Sequence, residues 1–101
     1  MVSRLVFTNN NLTGTLPDEL SGLSSVEELA LQDNPQLHGT IPSSIGQLVK
    51  LQMLSLMNAS LSGPTEALWQ LTQLEQLHLY DNQLSSTISS RIGNLKKLTD
   101  L

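Results

Sequence analysis

The 101-residue chain has no cysteine, so neither a disulfide framework nor a thiolate metal site can be built from it. It has only three aromatic residues, Phe7, Trp69 and Tyr80. An ordinary globular core draws more heavily on aromatic area, so leucine must do the packing. Charged residues make up 14% of the chain and the net charge is −4. Phosphate binding needs a basic face, so nucleic acid is excluded as a partner. No stretch approaches the ~18 consecutive apolar residues of a membrane span, and no membrane contact is expected of this segment. No long apolar run follows Met1, as it would in a secretory leader. The motifs of hydrolases, nucleotide-binding loops and zinc proteases (G-x-S-x-G, Walker A, H-E-x-x-H) are all missing. His38 and His78 stand forty residues apart, and the serines fall in turns, where local hydrogen bonding favours them. An enzyme is not expected, nor is a cofactor.

What is present is repetition. "LTGTLPDELSGL" at 12–23 returns as "LHGTIPSSIGQL" at 37–48. The chain divides into units at 2–25, 26–50, 51–73 and 74–97, with a fifth beginning at 98–101. Their lengths are 24, 25, 23 and 24 residues. The shared template is L-x-x-L-x-L-x-x-N-x-L-x-G-x-I-P-x-x-I-G-x-L-x-x. Its opening alternates with period two, a strand signal. In the second unit Leu29 and Leu31 then point one way, Ala30 and Gln32 the other. The L-x-G-x-I half alternates again: Leu37, Gly39 and Ile41 face in, His38 and Thr40 out. Pro17 and Pro42 then turn the chain. A strand this short cannot bury its apolar side alone, so neighbouring coils must share one continuous core. The pattern starts mid-repeat at Val2 and stops mid-repeat at Leu101, which predicts a piece of a longer array with neighbouring repeats outside the chain.

This template resembles that of the leucine-rich repeat family, in its plant-type subclass, and the resemblance covers essentially the whole chain. It implies an α/β-type leucine-rich repeat solenoid: a right-handed superhelix with a parallel concave sheet and short 3-10 or irregular turns on the convex side. Members with the L-x-G-x-I-P pattern are typically ectodomains of receptor-like kinases and receptor-like proteins, or polygalacturonase inhibitors. An extracellular or cell-surface location and a protein or peptide ligand follow as expectations. At the ninth template position a side-chain amide can bond backbone groups left unpaired by a tight coil. The resemblance implies that Asn10, Asn34 and Asn82 form a buried ladder. Unit three carries Ala59 there and has lost a residue near "SGPTEAL". It is therefore predicted to interrupt the ladder and to be the least regular coil, with Trp69 folding over the gap.

The candidate site lies on the outward strand positions. Acids recur there at Glu27, Glu28, Asp33, Glu75 and Asp81, with Arg4 the only cation among them. A solvated solenoid face explains acids, but nothing in the repeat calls for Met53 and Met57. Exposed methionines beside an aromatic suit an adaptable binding surface. The expected ligand-binding residues are Glu28, Met53, Met57, Glu75, His78, Tyr80 and Asp81. Asp33 and Asp81 stand two strands apart, ~10 Å, too far to share an ion held at ~2.4 Å, so no metal site is expected. Asn11-Leu12-Thr13 and Asn58-Ala59-Ser60 are possible glycosylation sites, and a glycan on Asn58 would block the concave face. Two alternatives remain. The segment could be purely structural, with the ligand held by other repeats. Or the Ser/Thr face of the second strand could bind ice or glycans.

Overall fold

A computed structural model describes residues 4–6, 13–16, 22–84, 93 and 95–99. The described residues form a solenoid of stacked coils, with two short parallel strands per coil. The first sheet is formed by β1 (Arg4–Val6), β3 (Glu28–Ala30), β5 (Met53–Ser55) and β7 (Gln76–His78), in that order. The second is β2 (Gly14–Thr15), β4 (Leu37–Thr40), β6 (Ser60–Gly63) and β8 (Gln83–Leu84). Neighbouring coils stay in register through identical residue types: Leu5, Leu29, Leu54 and Leu77 pair in sequence across the first sheet.

The core follows from that register. Leu29, Leu54 and Leu77 are buried, as are Val26, Leu51 and Leu74 at the start of each coil. Each fully buried leucine contributes roughly 1.5–3 kcal/mol, and only the adjacent coil can supply the covering surface. On the far side Pro42 and Thr65 lead into 3-10 turns, Ser43–Gln47 and Glu66–Gln70. These turns place Ile45 and Leu68 fully in the core.

Close approach in the second sheet explains the repeated glycine. Gly39 has φ +89°, and a Cβ there would lie 2.9 Å from Thr15 Cγ2 of the preceding coil. Gly63 stands in the same relation to Thr40.

Unit three departs from expectation. It is as regular as unit two, with a three-residue strand, a four-residue strand and a five-residue 3-10 turn in each. Its missing residue is absorbed where β6 runs into the turn at Thr65. Trp69 is buried inside that turn, at 4% exposure, as part of the shared core, and Thr65, beside the deletion, is buried as well.

At Ala59 the asparagine column has no rung between units two and three, and the backbone groups an asparagine there would serve bond within their own unit or to Asn82. Asn82 Nδ2 donates to Leu56 O of unit three at 2.7 Å and to Leu79 O of its own unit at 3.0 Å. Its Oδ1 accepts from Leu61 N at 3.0 Å. Asn34 donates to Leu31 O at 2.9 Å and Gln32 O at 3.2 Å. The equivalent of Leu61 N in unit two is Leu37 N, which an asparagine at 59 would have served. It donates instead to Asn34 O at 2.9 Å, closing the turn that holds the extra residue of unit two. Asn10 lies outside the described residues.

Candidate concave recognition surface

The start of each first-sheet strand is shaped by a shared acceptor. Gln52 N and Met53 N both donate to Glu27 O, at 2.7 and 3.1 Å. Glu75 N and Gln76 N repeat this on Gln52 O, at 2.7 and 3.1 Å. Two successive amides converging on one carbonyl break the simple in-out alternation. Consecutive side chains therefore reach the same face, and Glu28, Gln52, Met53, Glu75 and Gln76 line one groove of about 200 Å³. At one wall Arg4 Nε lies 3.4 Å from Glu28 Oε1, a surface ion pair with both side chains well exposed.

Farther along the strands the face changes character. Ala30 and Ser55 are covered rather than open to solvent, at 3% and 2% exposure, which corrects the outward reading of that position. Ser55 Oγ is buried without a hydrogen-bond partner. Met57 and Tyr80 come next, on adjacent coils linked by Asn58 N donating to Tyr80 O at 3.0 Å. Tyr80 is 59% exposed. Met53 and Met57 are half-buried, not fully exposed as the sequence suggested.

Asp33, Asn58 and Asp81 all adopt left-handed backbone, at φ 64°, 54° and 61°. Asparagine and aspartate tolerate that region because their short side chains hydrogen-bond locally. Asn58 Nδ2 donates to Asp33 Oδ1 of the preceding coil at 2.8 Å, and Asn58 is exposed. Asn11 lies outside the described residues.

The predicted residues thus form two neighbouring groups and not one cluster. Glu28, Met53 and Glu75 share the groove; Met57, Tyr80 and Asp81 lie toward the strand ends, with His78 between. Gln52 and Gln76 line the groove too, although neither charge nor apolar character distinguishes them in the sequence. The signal that finds them is their column in the template, beside Glu75 and Met53.

A family model described as Leucine Rich Repeat matches residues 1–23 and 73–95. These stretches fall on units one and four; units two and three carry the insertion and the deletion. Receptor-like protein 41 of Arabidopsis thaliana is 40% identical over 98 residues, covering 93% of this chain and 11% of that protein. Cuscuta receptor 1 of Solanum lycopersicum is 38% identical over 90 residues, covering 84% of this chain and 8% of that protein. The Arabidopsis receptor kinase HAESA, solved in complex with the peptide hormone IDA and the co-receptor SERK1, superposes with a TM-score of 0.84 at 39% identity. That match covers 89% of this chain and 15% of the receptor chain. The chain spans about a tenth of the length of the curated relatives it matches. It belongs to the leucine-rich repeat family, in the plant-type form seen in receptor-like proteins.

Proposed function

We propose, with membership of that family as the premise, that the chain is a protein- or peptide-recognition segment of a receptor-like protein at the cell surface. It binds through the first-sheet face and performs no chemistry itself. The observation that carries this reading is the pairing of half-buried Met57 with exposed Tyr80 on adjacent coils, beside a groove lined by Met53. The fold's core does not need these side chains on that face, and apolar and aromatic area of this kind is what interface anchors are made from. HAESA, a structural relative, is a receptor bound to a peptide hormone and a co-receptor, which supports the same class of partner here.

Adsorption through the second-sheet hydroxyls has less behind it: His38 and Pro64 interrupt the row, and Ser62 Oγ donates to Gly39 O of the preceding coil at 3.4 Å.

The test uses peptides selected against the protein from a random display library. Substituting Met53, Met57 and Tyr80 together by alanine is expected to weaken the selected peptides by tenfold or more, on the scale of one or two lost anchors. Equal affinity for the triple variant would remove the recognition role from this face.

A further inference from the structure

We infer that the groove beside Met53 seats the basic side chain of a bound peptide or protein, an arginine or a lysine. The inference deepens the recognition reading and rests on it. The groove is lined by two carboxylates, two amides and one thioether, and no cation is among its lining residues. Glu28 is engaged by Arg4 from the adjoining coil. Glu75 is exposed and forms no ion pair among the described residues. The two carboxylates stand two coils apart, ~10 Å at the ordinary strand spacing, so one cationic head reaches Glu75 while Glu28 adds its field.

The rest of the groove suits such a side chain. The side-chain amide oxygens of Gln52 and Gln76 can accept from a guanidinium or ammonium, neither of which can accept in return. Met53 lies between the two carboxylate-bearing coils, in register with both Glu28 and Gln76. Its half-buried thioether offers apolar area for the aliphatic stem that lysine and arginine carry.

The protein has three methionines, so methyl-13C-methionine labelling gives a spectrum simple enough to read Met53 directly. The probes are Nα-acetyl-arginine amide, its lysine counterpart, and Nα-acetyl-citrulline amide, which keeps the shape of arginine without the charge. The Met53 methyl is expected to shift saturably with the two cationic probes, and less at raised salt. Citrulline and the Glu75→Gln variant should each weaken the effect by roughly two- to fivefold, the scale of one exposed ion pair. Glu28→Gln should weaken it less. If citrulline matches arginine on the unaltered protein, or if Glu75→Gln binds arginine as well as before, the inference is wrong. The titration needs no natural ligand, so it is separable from the display experiment. A flat titration with peptides still lost on the triple alanine variant sinks the basic-residue assignment alone. A saturable titration with peptides indifferent to that variant sinks the wider reading.

Discussion

At the scale of single residues, the ninth template position shows how an apparent defect is matched by its neighbours. Asn82 serves four backbone groups: it donates to Leu56 O, Leu79 O and Tyr80 O and accepts from Leu61 N. Replacing it by alanine leaves several of these unpaired. The expected cost is about 1–3 kcal/mol, read as a fall in denaturation midpoint, and a change inside measurement error would refute the bridging role. Restoring the family asparagine at Ala59 is expected to do the opposite of what a consensus argument promises. The groups it would serve, Leu31 O and Leu37 N, already bond Asn34. Ala59 is also buried, so the new amide would be desolvated without gain. Ala59→Asn should therefore destabilise the chain by about 1 kcal/mol or more, and a higher melting temperature would contradict this account. The sequence showed which column mattered and that unit three broke it. It did not show that the extra residue of unit two makes its own turn bond, because that depends on two coils being irregular together. The groove was half legible for a related reason. Template columns identify outward residues, but two amides sharing one carbonyl decide which consecutive pairs end up side by side.

At the scale of elements, glycine and tryptophan set how closely the coils stack. Gly14 and Gly39 both have φ +89°, yet only Gly39 would place a Cβ against the preceding coil, at 2.9 Å from Thr15 Cγ2. Gly14→Ala therefore pays the left-handed backbone cost alone, about 1–2 kcal/mol. Gly39→Ala pays that plus the clash. Chemical denaturation should rank Gly39→Ala below Gly14→Ala, and equal losses would show that the contact carries no weight. Trp69 is buried within the 3-10 turn of the third coil, and its Nε1 is buried without a partner. Trp69→Phe removes the unpaired donor together with some volume, and should cost under about 1.5 kcal/mol. Trp69→Ala opens a cavity and should cost about 3 kcal/mol or more. Thermal melts of the two variants decide it: similar losses would mean the indole fills no space. Burial of Trp69 was readable from the sequence, because a large apolar residue in a short coil is costly to leave exposed. The regularity of the third coil was not, because sequence spacing records the missing residue but not how the backbone around the buried Thr65 takes it up.

At the scale of the whole molecule, the stacking principle was the most legible feature, because each short strand offers an apolar side that its own coil cannot cover. The identical pairing of Leu5, Leu29, Leu54 and Leu77 is that principle realised. It makes the chain a one-dimensional array in which each coil is held only by its neighbours, so stability is a sum of coil and interface terms. Leu54 sits in an interior coil, is fully buried, and touches an interface on both sides. Leu54→Ala should cost about 2–5 kcal/mol, and the loss should not stay local. Weakening one interior coil weakens two interfaces, so amide exchange at Leu31, bonded to Ser55 O, and at Leu56, bonded to His78 O, should quicken together. Residue-resolved hydrogen exchange reads both positions in one experiment. Faster exchange at Leu56 with Leu31 unchanged would mean that the coils open independently, and the recognition face they jointly present would then have no common rigid frame.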